Sequence, residues 1–328
     1  MHAHAHADLR SGRIARRTSD TVSSPPTLVR RVRSKSTLAG RHLAVRIMLR
    51  RRACRTTAGG RSQNPTMTEN WEIREAGPAD AGRKALLLPG GLCTTEFYAD
   101  VMAEPKLSAA GLGLVAVTLP GFGRTDPPWD VTVENYAQLM ADHARATGCD
   151  VVVGHSYGAN VALEMGAAGL FDGPLVLLSP SFSRKDESSM MGFLDRLGGI
   201  SGVGPLAWSA LVKAAPRLAR SSLPPERADT LAAVLGNNDP AVARTIVHAY
   251  FQYLDLHGSL APRLCEAGNR AWVAFGDHDE IGLQPDEEKV LLDCPRVTTV
   301  TVPDAGHLLL VEQPAAIADL VLEAAAAV

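Results

Sequence analysis

No apolar stretch in the chain approaches the roughly 18 uninterrupted residues that a membrane-crossing helix requires, so no membrane span is expected. Cysteine is sparse and scattered. Cys54, Cys93, Cys149, Cys265 and Cys294 are odd in number and form no C-x-x-C pair or cluster with histidine. Neither a disulfide framework nor a zinc site is therefore expected, and a reducing, cytoplasmic setting fits that usage. No aromatic residue precedes Trp71, which removes the base-stacking platform of a specific nucleic-acid binder from everything upstream of it. Acidic residues are nearly missing there too. Residues 1–66 hold 15 Lys and Arg against Asp8 and Asp20, while 67–328 hold the remaining 18 basic and 33 acidic residues. The net charge of −2 thus hides two segments of opposite character.

The basic segment is rich in Arg, Ser and Thr and contains "RRVRSKS" (30–36) and "RIMLRRRACR" (46–55). Like-charge repulsion with little apolar surface to bury reads as a disordered extension. Several readings stay open for it. Met67 opens "MTENWEIREAG", which looks like an ordinary protein start, so the upstream residues can reflect a mis-assigned start. An Arg- and Ser-rich, acid-poor segment also suits an organelle-targeting peptide, although it lacks the apolar core and small-residue cleavage site of a secretory signal. A basic arm for non-specific contact with phosphate is the third reading. His2, His4 and His6 look like an incidental tract.

From about residue 71 the pattern is globular. With 46% hydrophobic residues overall, the chain has ample material for a core. Short apolar runs recur: "KALLLPGG" (84–91), "GLVAVTLPGFG" (113–123), "DVVVGHSYG" (150–158), "GPLVLLSPS" (173–181), "RAWVAFGDHDE" (270–280) and "RVTTVTVPDAGH" (296–307). The apolar stretch within each is capped by a turn containing Gly, Pro or Asp. Runs that are apolar on both faces suit the strands of a buried parallel sheet. Helical stretches alternate with them at 133–148, 159–169 and 314–328, which predicts an α/β layered sheet. Residues 182–262 break the alternation. An excursion of that length, rich in Met, Leu and aromatic residues, predicts a helical cap inserted after the strand near 174–179.

Gly154-His155-Ser156-Tyr157-Gly158 is a G-x-S-x-G pentapeptide directly after a strand and directly before a helix. A sharp strand-to-helix turn strains the serine backbone, and glycines on either side avoid collisions there. The turn lifts the Ser156 hydroxyl above the sheet. A serine hydroxyl is a poor nucleophile without a base. Of the histidines, His143 lies in a helix and His248 and His257 in the expected cap, whereas His307 alone follows a late strand in a glycine-containing loop. The orienting acid is sought after the preceding strand, in "FGDHDEIG" (275–282). Asp279 is chosen there. Asp277 is the alternative, and spacing alone does not separate them.

The chain order Ser156, Asp279, His307, together with "LPGFGRTD" (119–126), "GDHD" and "PDAGHLLLVEQP", resembles the α/β-hydrolase superfamily over nearly all of 84–328. The resemblance implies a mostly parallel central sheet flanked by helices and a Ser-His-Asp triad that uses neither metal nor organic cofactor. "LLLPGGLCTTEFY" (86–98) is similar to the family's oxyanion loop, but Pro89 stands where a histidine usually does. Backbone amides act at that site, so Gly91 and Tyr157 are the implied donors, with Leu92 as the fallback. The implied activity is cleavage of an ester or related acyl bond in a small, apolar substrate. Carbon–carbon bond hydrolysis, acyl transfer and cofactor-free haloperoxidase-like chemistry use the same residues, and a non-catalytic ligand receptor is the rival of another class. A serine at the turn argues against haloalkane dehalogenase or epoxide hydrolase chemistry, which needs a carboxylate there. The expected partner is a small molecule, with no specific nucleic acid. Oligomeric state is left open.

Overall fold

Neighbouring residues of a strand point to opposite faces, so a continuous apolar run can be buried only if both faces are covered. The computed structural model shows that arrangement. It describes residues 71–187, 189–220 and 223–328 and the backbone of 15–16. Along the strand Arg83–Leu88, Leu86 and Leu88 enter one hydrophobic cluster and Ala85 and Leu87 the other. Val152 faces the first cluster, and Val151 and Val153 face the second. Leu86, Leu87 and Leu88 are fully buried, and each such side chain is worth about 1.5–3 kcal/mol relative to exposure.

The strands are β1 (Ala15–Arg16), β2 (Ile73–Ala76), β3 (Arg83–Leu88), β4 (Leu112–Val117), β5 (Val151–His155), β6 (Leu175–Leu178), β7 (Ala271–Gly276) and β8 (Val297–Val302). They lie in the order β1-β8-β7-β6-β5-β3-β4-β2. From β3 to β8 the pairing is parallel, while β2 and the two-residue β1 are antiparallel edges. All six expected strands are present, in a mostly parallel sheet flanked by helices. The half-exposed edge strand β2 carries no apolar run and was not anticipated from the pattern. The basic extension expected over 1–66 lies outside the described residues, apart from Ala15 and Arg16, which pair with Thr301 and Val300.

The chain runs from β3 to β4 on one side and then crosses back to place β5 on the other side of β3. Such a reversal leaves a crevice at the carboxyl ends of the two strands, where ligands of open α/β sheets bind. Register makes the crevice specific. Leu88 sits opposite Gly154, His155 opposite Leu178, and Leu178 opposite Ala274. Segments that follow these residues emerge at one edge.

Three helices on the flanks fall where periodicity placed them. Val133–Thr147 starts on Thr132, whose side chain accepts the Asn135 amide at 3.3 Å, and buries Val133, Tyr136, Ala137, Met140 and Ala144. Tyr157–Ala167 is buried along nearly its whole length, and Pro314–Ala325 covers the other face. Between β6 and β7 lie the helices Ser189–Gly198, Val203–Ala219, Ala228–Leu235, Pro240–His257 and Ala261–Ala267. The last of these runs past the expected limit at residue 262. Pro240–His257 is capped by Asp239, which accepts the Ala241 and Val242 amides at 2.7 and 3.0 Å. Its buried residues Ala243, Ile246, Val247, Tyr250, Phe251 and Leu254 follow helical spacing.

One expectation is overturned. Cys265 and Cys294 form a disulfide, with a Cα–Cα distance of 5.6 Å. They lie 29 residues apart, on or beside the helices Ala261–Ala267 and Pro285–Leu292, which pack together. No spacing motif marks such a pair because helix packing creates the proximity. The cysteine argument for a reducing compartment therefore falls. Cys93 and Cys149 are free and buried. Among the described residues no helix is long and apolar enough to cross a membrane, and no group of three or more His, Cys, Asp or Glu is placed to hold a metal ion.

Candidate active site

Ser156 ends the β5 turn at φ 50°, ψ −120°, a conformation L-residues rarely adopt. Its amide donates to Leu178 O at 2.8 Å, which ties the strained residue to β6. The turn is tight enough to dictate its neighbours. A Cβ at Gly154 would lie 2.3 Å from Gly158 O, and one at Gly158 would lie 2.3 Å from Leu88 O. Both contacts are with backbone, so no side-chain shift relieves them. The helix Tyr157–Ala167 begins at the next residue, and the Tyr157 amide has no carbonyl four residues back within the helix to accept its hydrogen.

Alongside, β3 leads into Pro89-Gly90-Gly91-Leu92. Gly90 is the glycine that steric contact demands here, since a Cβ would meet His155 Nδ1 at 2.9 Å and Ser156 Cβ at 3.2 Å. At Gly91 a Cβ would make only ordinary contacts, at 3.7 Å from Tyr157 and 3.9 Å from Phe122. Leu92 takes a positive φ of 65°.

The loops after β7 and β8 supply the polar pair. His307 Nδ1 lies 3.3 and 3.4 Å from the two Asp279 carboxylate oxygens. Asp279 Oδ2 also accepts from Ser179 Oγ at 2.6 Å, and Oδ1 from the Ile281 amide at 2.9 Å. Burial pushes the Asp279 carboxyl up. The hydrogen bond and charge of His307, the Ser179 hydroxyl and the Ile281 amide outweigh it, so the group sits below the usual carboxylate range. Asp277 does other work, pairing with His278 at 3.1 Å and accepting the Ala305 amide at 3.2 Å.

Two residues near this pair were not anticipated. His155, next to Ser156 in the turn, donates its Nε2–H to His307 O at 2.8 Å, and the two rings lie 5.1 Å apart. Burial, then the proximity of His307, drive the His155 pKa down to about 3. It is therefore a neutral donor that pins the His307 backbone. Ser179, at φ 48° after β6, braces Asp279. The only signal for it in the sequence is a serine at the carboxyl end of a strand.

Ser156, Asp279, His307, Gly91, Leu92 and Tyr157 all line one cavity of about 740 Å³. Its apolar wall comes from Phe122 on the sheet side and from Met191, Ile246, Val247, Tyr250 and Phe251 of the inserted helices. Tyr157 and Tyr250 meet edge to face at 5.4 Å. The competing histidines are elsewhere: His143 packs on Trp71, His248 pairs with Asp195, and His257 meets Tyr253 edge to face.

Residues 85–320 match the model of the alpha/beta hydrolase family. No curated protein matches the chain. Among solved structures, MenH from S. aureus superposes with a TM-score of 0.60 at 18% identity, covering 78% of this chain and 97% of that one. A thermophilic esterase from Thermogutta terrifontis gives 0.60 at 20% identity, with 77% and 92% covered. The enol-lactonase from Burkholderia xenovorans LB400 gives 0.60 at 15% identity, with 77% and 95% covered. At such identities these neighbours share the fold. The family match spans most of the chain. This chain belongs to the α/β-hydrolase family and is a hydrolase.

Proposed function

We propose that the protein is a serine hydrolase that cleaves an ester or related acyl bond of a small-molecule substrate through an acyl-enzyme. The observation that carries this reading is the hydrogen bond of His307 to the buried Asp279, made at the wall of a cavity that also holds the strained Ser156. Asp279 engages Nδ1, which fixes the tautomer and leaves Nε2 to take the Ser156 proton. The Ser156 oxygen bonds to the carbonyl carbon, and the displaced electron pair moves onto the carbonyl oxygen. The amides of Gly91 and Tyr157 stabilise that oxyanion, each such donor being worth about 2.7–4 kcal/mol. Collapse expels the alcohol, which takes its proton from His307. Water activated by the same base then releases the acid and restores Ser156. Asp279 carries negative charge throughout, which stabilises the imidazolium at both steps.

The helices between β6 and β7 serve as the cap. They close the cavity with aliphatic and aromatic side chains, which favour apolar portions of a substrate. A fluorophosphonate probe tests the central claim, with mass mapping of the adduct to Ser156. Turnover of p-nitrophenyl esters should fall by roughly four to six decades in Ser156→Ala. An unlabelled Ser156 with no ester turnover would favour a ligand receptor instead.

A further inference from the structure

One carboxylate in the cavity has no part in that chemistry. Glu187 lies in the segment joining β6 to the inserted helices and faces the same space as Ser156. Its Oε1 accepts from Tyr250 OH at 2.7 Å and from Ser181 Oγ at 2.7 Å. Behind them, Asn160 donates to Ser181 O at 2.7 Å. The preceding residue is anchored too, because Asp186 Oδ2 accepts the Phe182 and Ser183 amides at 2.8 Å each. The carboxylate is thus held in place by neutral donors on one oxygen. Among the described residues Glu187 forms no ion pair, and its Oε2 has no hydrogen-bond partner. Arg184, the nearest guanidinium in sequence, is engaged by Asp255 at 2.7 Å and Asp195 at 3.2 Å. Lys185 and Arg196 line a neighbouring groove that Glu187 also borders and do not pair with it.

The other charged side chains that line the cavity are mainly acidic. Glu280, Asp304 and Glu312 line it alongside Asp279, His278 and His307 are its basic side chains, and no Lys or Arg is among the described residues that line it. The Glu187 oxygen that takes no protein donor faces the cavity and can pair with a cation bound there, a charge-assisted contact of the stronger kind. Tyr250, whose hydroxyl bonds to Glu187, adds an aromatic ring beside it of the kind that attracts cations, while the Phe251 face is already covered by Arg184 at 4.2 Å.

We propose that Glu187 is a specificity determinant that receives a cationic group of the substrate, a protonated or quaternary amine, while the cavity as a whole disfavours anionic substrates. This deepens the assignment of the Ser156 cavity as the substrate site and rests on it. The ammonium sits against Glu187 Oε2 and the aromatic wall, and the carbonyl is presented to Ser156. The apolar wall then holds the methylene spacer between them.

Binding without turnover separates this idea from the catalytic assignment. In the full-length Ser156→Ala protein, affinities are measured by calorimetry for three methyl esters of similar size. They are methyl 4-(trimethylammonio)butanoate, its neutral isostere methyl 5,5-dimethylhexanoate, and the anionic monomethyl glutarate. The ammonium ester should bind at least tenfold tighter than the isostere, and the anion most weakly. Adding Glu187→Gln should bring the ammonium advantage below threefold. If that variant does not fold, Glu187→Met, which matches the apolar wall, takes its place. Equal or tighter binding of the isostere or the anion, no binding of any of the three, or an advantage that survives loss of the carboxylate overturns the proposal. Fluorophosphonate labelling of the unmodified protein reports on Ser156 separately. Selective ammonium binding with an inert Ser156 would overturn the hydrolytic mechanism and leave the Glu187 assignment standing.

Discussion

His155 couples the site to protein stability in a way that can be measured. Its ring is 1% exposed and its pKa is pushed down to about 3 by burial and by His307, against about 6.5 in an unfolded chain. The folded state therefore binds a proton on this ring less readily than the unfolded state does. The sign follows directly: the His155 contribution is intact above about pH 6.5 and is lost as pH falls towards 3. At about 1.4 kcal/mol per pH unit, roughly 2 kcal/mol should disappear between pH 7 and pH 5. His155→Gln keeps an amide donor for His307 O but cannot ionise. Urea unfolding of both proteins at pH 7, 6 and 5 gives the two slopes. Their difference isolates His155, because every other titrating group is common to both. The variant is expected to start less stable at pH 7 and to lose roughly 2 kcal/mol less on acidification. Parallel pH dependences over that range would refute a buried neutral His155 and, with it, the role of its ring in fixing His307.

The remaining expectations concern the chemistry and the frame. Asp279→Asn should lower kcat on p-nitrophenyl esters by about four decades, as loss of the correct tautomer does in serine proteases. Asp277→Asn should stay within a factor of a few, and the reverse ranking in steady-state assays would overturn the choice between them. Gly158→Ala places a methyl 2.3 Å from Leu88 O. It should cost more than about 2 kcal/mol, or at least ~4 °C in Tm for a domain of this size, read by thermal unfolding. Replacing Cys265 and Cys294 by Ala opens a loop of 29 residues. Chain entropy puts the loss at roughly 3–4 kcal/mol, which denaturant unfolding under oxidising conditions would show and which an unchanged midpoint would contradict.

The strand-forming segments, the flanking helices expected at 133–148, 159–169 and 314–328, and the placement of Ser156 and His307 after strands were legible in the linear sequence. Local rules carry each of them: apolar runs with no polar face, 3.6-residue periodicity, and glycines at a turn that backbone contacts forbid to anything larger. The same rules could not separate Asp279 from Asp277. Both stand in one short loop, and only the approach of the β8 loop decides which carboxylate meets His307. The roles of Ser179, His155 and Glu187 are not legible in the sequence for a related reason. Each acts through a partner distant in sequence, and no spacing records such a meeting. The Cys265–Cys294 pair shows this most plainly, since two helices brought together across a strand create a bond where composition alone argued for none. Sequence determined what each segment would become. Tertiary packing decided which side chains would touch, because contact depends on how segments are stacked, and stacking is set by the sheet order and register of the whole chain.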